Sequence, residues 1–170
     1  MRTRSQAVIG AFLFFWVAPA MVAGLIPYQL SGWRLQPPFL GTSATRVAGA
    51  ALIAAGGAAL LECFARFAIK GRGTPAPIAP TETLVVTGLY RFVRNPMYVA
   101  VVLVILGQAL LLGSTRLLAY ALAVWTAFHI FVLAYEEPTL RRQFGESYDR
   151  YRTNVRRWLP RLMPWTPLGA

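Results

Sequence analysis

The sequence predicts an all-α integral membrane protein: a helical bundle of four transmembrane helices followed by a C-terminal amphipathic interfacial helix. Three observations carry this. Hydrophobic residues make up 56% of the 170 residues and charged ones only 14%, against roughly a quarter charged in soluble domains. Four apolar runs approach the roughly 20 residues that cross a bilayer. The charges collect at the ends of those runs, where they cost least. At this length the chain reads as a single domain, 1–170.

The first span covers about 7–26, with Pro19 as a kink. No small-residue cleavage site follows it, so it reads as a retained span. The second covers about 47–69, where Gly56-Gly57 permits close helix approach. The third (97–112) and fourth (117–135) are joined by Gly113-Ser114, a tight turn that makes them an antiparallel hairpin. Between the second and third, Gly71 to Val93 carries Gly71, Gly73, Pro75, Pro77 and Pro80, which resist regular helix. A binding loop and a plain linker both remain open there, and Leu84-Val85-Val86 reads as a short extended piece. After Pro138, apolar Leu140, Phe144, Tyr148, Tyr151 and Val155 recur at helical spacing opposite a face of arginines, the pattern of an interfacial helix or of one packed on the hairpin.

The net charge is +11. Fourteen of the 17 Lys and Arg flank the runs on one side, and only Arg34, Arg46 and Arg116 fall on the other. The positive-inside rule puts the basic side, with both termini, in the cytoplasm of a multi-pass cell-membrane protein. Tyr28 and Trp33 would anchor the first external loop at the interface. Basic residues that flank apolar spans suit anionic lipid headgroups better than nucleic acid. One cysteine, Cys63, and one histidine, His129, exclude an intramolecular disulfide and a structural zinc site, so no metal is expected.

The residues able to do chemistry cluster near one end of the hairpin. Glu136 and Glu137 close span four before Pro138, where the macrodipole disfavours carboxylates. They require either a ligand or a neutralising Arg141 or Arg94. Arg91 and Arg94 precede Asn95-Pro96. That dipeptide opens a helix, with Asn95 as its cap. A helix start with two guanidinium groups also makes a pocket for a carboxylate or phosphate, into which Tyr98 would point. His129 lies seven residues before Glu136, two turns along the same face. Acting as a base, lining a substrate path and bonding another helix are all open to it. Glu62 and Arg66, four apart, read as an intrahelical ion pair.

Gly88 to Pro160 resembles the C-terminal core of the isoprenylcysteine carboxyl methyltransferase family. The matched features are G-x-Y-R-x-x-R-x-P-x-Y, the hairpin, E-E-x-x-L-x-x-x-F-G-x-x-Y-x-x-Y, and R-W-x-P. N-P-M-Y followed by Y-E-E-P is also similar to the phospholipid N-methyltransferases. The resemblance implies a membrane methyltransferase that uses S-adenosylmethionine to methylate a lipophilic acceptor among the membrane lipids. It implies a cofactor-binding core at 88–160, with contacts from Gly88, Tyr90, Arg91, Arg94, Asn95, Pro96, Tyr98, Glu136 and Glu137. Arg94, Glu136 and His129 are the residues expected nearest the reaction. Asn95 stands where the carboxyl methyltransferases commonly show His, and asparagine cannot titrate. A phospholipid N-methyltransferase is the nearest alternative. An NADPH-dependent sterol-type reductase and a non-catalytic membrane scaffold are more distant ones.

Overall fold

The computed structural model describes residues 19–70 and 84–166. Most of the first expected span, 7–18, and most of the Gly- and Pro-rich connection, 71–83, lie outside the described residues. Among the described residues every regular element is helical. A π-helical turn, Met21–Leu25, leads into α1 (Ile26–Ser31), then α2 (Ala44–Lys70), α3 (Pro96–Leu112) and α4 (Thr115–Phe131). A second π-helical turn, Val132–Glu136, leads into α5 (Glu137–Phe144), and α6 (Glu146–Asn154) follows. Among the described residues, two helices are long and apolar enough to cross a membrane: Ala44–Arg66, and Thr115–Phe144 taken as one continuous rod. Pro96–Leu112 is apolar but shorter.

Two expectations are corrected. The helix that carries span four does not stop at Tyr135. The π-helical turn just before Pro138 admits a ring that would otherwise clash with the preceding turn, so the helix runs on. The carboxylates are therefore not at a helix C-terminus. The C-terminal amphipathic helix is also not one element. Gly145, at φ 50° and ψ −125°, breaks it into α5 and α6, a conformation that only glycine adopts cheaply. Its apolar face is taken up by protein: buried Tyr148, Tyr151 and Val155 pack with Leu84, Val86, Leu140, Phe144 and Trp165.

The chain divides into two compact units. One comprises Leu61–Pro96 and His129–Ala170, with Met1–Phe14 outside the described residues; the other comprises Phe15–Leu60 and Met97–Phe128. In the second unit α2 meets α3 backbone to backbone. A Cβ on Gly49 would lie 2.5 Å from the Leu111 nitrogen, and one on Gly56 would lie 2.8 Å from the Ala100 oxygen. Gly113, at φ +70°, makes the hairpin turn, and the amide of Gln36 bonds the Leu112 carbonyl at 2.9 Å. Ala109, Leu112 and Leu117 form the small core beside that turn. Trp33, expected as an interfacial anchor, is half exposed, and its indole N–H donates to Gln108 at 3.2 Å.

Candidate active site

In the first unit the sequence elements around Arg94 and Glu137 converge. The Arg94 guanidinium lies 3.1 Å from the Glu137 carboxylate, and Arg157 grips the same carboxylate through two hydrogen bonds of 2.6 and 3.0 Å. The Glu137 and Arg94 side chains are only 12% and 10% exposed. Arg94 also donates to the Tyr148 hydroxyl at 3.2 Å. Asn95 is buried and donates to the Arg157 carbonyl at 3.2 Å, while the Arg94 amide bonds the Arg156 carbonyl at 2.9 Å. The segment before α3 and the R-R-W-L-P segment are thus laced together around one carboxylate. The hydrogen bonds that Arg157 donates to Glu137 hold its guanidinium protonated beyond its ordinary range. Burial pushes the Tyr148 phenol up to about 12, with the Glu137 charge adding to it, so the phenol stays neutral beside the cluster.

The other expected residues are distributed around this cluster. Glu136 is partly buried; burial chiefly raises the Tyr90 and Tyr148 phenols, and the Glu136 charge adds a smaller part. The Tyr90 carbonyl accepts from the Tyr151 hydroxyl at 2.6 Å. His129 accepts the Trp158 indole N–H on Nδ1 at 3.0 Å. The π-helical turn lies between His129 and Glu136, so their two-turn spacing no longer puts them on one face. Pro96 opens α3 as expected. Tyr98 stacks on Phe128 with ring centroids 4.6 Å apart, in the second unit.

Two clefts divide the expected set. Glu137 lines one of about 830 Å³, with Leu133, Ala134, Pro138, Arg141, Arg142 and Arg152. Gly88 and Arg91 line another of about 450 Å³, with Glu62, Arg66, Thr87 and Pro164. Glu62 and Arg66 form the expected ion pair at 2.7 Å. Gly88, at φ +57°, sits so close that a Cβ would collide with both side chains. Arg91 donates to the Trp165 carbonyl at 2.8 Å, and the Trp165 amide returns a bond to the Arg91 carbonyl at 3.0 Å.

A buried carboxylate between two arginines, next to a cleft within the roughly 300–1,000 Å³ range of small-molecule sites, fits the chemistry implied by the motifs. The comparison with known proteins decides the family. The model for phospholipid methyltransferases matches residues 44–147. The chain belongs to the phospholipid methyltransferase family. It is also 38% identical over 82 residues to the protein-S-isoprenylcysteine O-methyltransferase of Schizosaccharomyces pombe, a stretch covering 48% of this chain and 34% of that protein. This chain therefore spans about a third of the length of that curated relative. It is 35% identical over 63 residues to an uncharacterized protein of Haemophilus influenzae, covering 37% of this chain and all of that protein. No solved structure matches the chain.

Within this methyltransferase family assignment, the expected likeness to isoprenylcysteine methyltransferases stands. The sequence reading missed Arg157, Tyr148 and Trp158 as site residues. All three lie inside the quoted motifs, Tyr148 in F-G-x-x-Y and the other two in the R-R-W run. Nothing local says that they fold back onto Glu137, Arg94 and His129, 20, 54 and 29 residues away.

Proposed function

We propose that the protein transfers a methyl group from S-adenosylmethionine to a lipophilic acceptor drawn from the bilayer, at the cytoplasmic end of a multi-pass bundle. The observation that carries this is the buried Arg94–Glu137–Arg157 cluster beside the 830 Å³ cleft, in a chain of a methyltransferase family. The residues fit the cofactor. Buried Arg94 Nε has no hydrogen-bond partner, and arginines around the cleft suit its carboxylate. When bound, the cofactor supplies a methyl group already activated by the sulfonium. The chain's contribution is then placement and exclusion of water. Glu137 holds Arg94 and Arg157 in fixed directions. An amine acceptor must lose a proton, and Glu136 is the residue to take it. The Trp158 hydrogen bond occupies His129 Nδ1 and fixes the neutral ring's proton on Nε2, which makes His129 a donor in this arrangement. A carboxylate acceptor needs no base. The side on which 14 of the 17 basic residues fall supports the cytoplasmic orientation.

The test is incubation of membranes containing the protein with methyl-labelled S-adenosylmethionine, followed by lipid extraction. Label should enter a lipid fraction and fall with Arg94→Gln. No label in any lipid, peptide or thiol fraction, together with no calorimetric binding of the cofactor, would refute the proposal.

A further inference from the structure

The helix expected to lie in the membrane interface has its apolar face covered by protein, but the chain just beyond it does not. Among the described residues after Phe144, three large hydrophobic side chains are left exposed: Leu159 at 66%, Leu162 at 100% and Met163 at 76%. They fall close together in a segment that is not helical. A contiguous apolar patch of this kind marks a contact surface.

The segment is pinned to the protein. The Arg161 amide donates to the Phe92 carbonyl at 2.9 Å, and the Trp165 amide to the Arg91 carbonyl at 3.0 Å. The Trp158 indole donates to His129 at 3.0 Å. His129 lies inside the fourth apolar run, 117–135, on a helix long and apolar enough to cross a membrane. Trp158 therefore sits at a level that lipid reaches, and Leu159 follows it directly. The backbone suits such a medium. Pro160 and Pro164 have no N–H, and the amides of Arg161 and Trp165 are bonded within the protein. These positions bring no open donor toward lipid, which could not satisfy one.

The charge around the loop has one sign. Residues 150–170 hold five arginines and no acidic residue. Arg157 is committed to Glu137, but Arg156 is exposed and Arg161 partly so. A second copy of this chain in a two-fold contact would bring the same arginines against them, like charge on like. Apolar side chains ringed by cations fit a leaflet that carries anionic lipid.

We propose that Leu159, Leu162 and Met163 seat in the headgroup layer of the adjoining leaflet, with Arg156 and Arg161 on the phosphates of anionic lipids. The membrane contact expected of the helix face at 140–155 passes to this pinned loop. The inference rests on the apolar helices crossing a membrane and is independent of the reaction at the site above.

Depth-dependent quenching in vesicles of phosphatidylcholine, with and without phosphatidylglycerol, tests it. Cys63 is fully buried, so a thiol-reactive bimane labels an introduced cysteine. Leu162→Cys and Met163→Cys report on the loop. Ser147→Cys, exposed on α6, is the aqueous control, and Leu122→Cys, exposed on α4, is the lipid control. A lipid-borne nitroxide should dim the loop labels at least about twofold more than the Ser147 label, and aqueous iodide should do the reverse. Phosphatidylglycerol should deepen the loop quenching, and Arg156→Glu should remove that increment. Loop labels that behave like Ser147 overturn the proposal. Labels shielded from both quenchers also overturn it, by showing that another protein chain covers the loop. Lipid quenching that ignores both phosphatidylglycerol and Arg156→Glu overturns the anionic headgroup. A Leu122 label that the nitroxide does not reach overturns the membrane reading and the loop with it.

Discussion

Replacing Arg157 with alanine should damage the protein through Glu137, and the size of the effect follows from the geometry. Arg157 meets both carboxylate oxygens, at 2.6 and 3.0 Å, with side-chain exposures of 29% for Arg157 and 12% for Glu137. Breaking a fully buried pair costs about 3–5 kcal/mol, whereas exposed pairs contribute under about 1 kcal/mol. Here one partner is nearly a third exposed, and Arg94 still stands 3.1 Å from Glu137. Solvent screening and the remaining cation put the expected loss near 2 kcal/mol. In a chain of this size that lowers the melting temperature by about 4–8 °C. Arg157→Lys keeps the charge but not the fork and should lose about half as much. The assay is a double-mutant cycle in one detergent: Arg157→Ala, Glu137→Gln and the pair together. If the two residues act as one unit, the double variant should be little worse than either single one. Additivity within about 0.5 kcal/mol would refute the claim that Arg157 works through Glu137.

The helix contact through Gly49 should be intolerant of a methyl group. A Cβ there would press on the Leu111 nitrogen at 2.5 Å and the Gly107 oxygen at 2.6 Å, both backbone atoms that cannot swing aside. Gly49→Ala should therefore cost about 1–3 kcal/mol. At Gly57, where a Cβ meets nothing within 4 Å, alanine should gain up to about 1 kcal/mol from helix propensity. Paired melting curves check this, and a Gly57→Ala that melts below Gly49→Ala contradicts the packing. Tyr148 predicts an alkaline effect. Burial raises its phenol from 10.0 to about 12, so between those values the unfolded chain gives up a proton that the folded chain keeps, and stability falls as pH rises. Tyr148→Phe should make the decline between pH 10 and 12 shallower, as read from melting temperature against pH. An identical slope would show that Tyr148 is not shielded.

Much of the fold could be read from local signals. Asn95-Pro96 opens α3, Gly113-Ser114 turns it into α4, and Glu62 pairs with Arg66 one helical turn on. Each depends on residues at fixed short spacing. What could not be read depends on backbone register or on chain return. Pro138 looks like a stop because proline ordinarily ends a helix, and only the preceding π-helical turn lets α5 continue. Tyr148, Tyr151 and Val155 could be read as facing lipid or as packed on the hairpin, because periodicity gives a face but not what covers it. The cover comes from Leu84, Val86 and Trp165, distant in sequence. The site follows the same division. Arg94 and Glu137 were legible as charges needing partners, but the partner that closes their geometry, Arg157, comes 20 residues after Glu137, beyond the helix break at Gly145.

The Glu-Glu pair shows why motif and geometry must be read together. Neighbouring residues on a helix point in different directions, roughly 100° apart. Glu137 faces two arginines, and its oxygens are committed to Arg94 and Arg157. Burial is the main cause that raises the phenols of Tyr90 and Tyr148, and the charge of Glu136 adds to it. The carboxylate that sets the direction of the arginines is therefore not the one suited to accept a proton, because a base held in a two-arginine grip loses its affinity for protons. In the proposed methyl transfer, Glu137 would be the positioning residue, and Glu136 the carboxylate to take a proton from an amine acceptor.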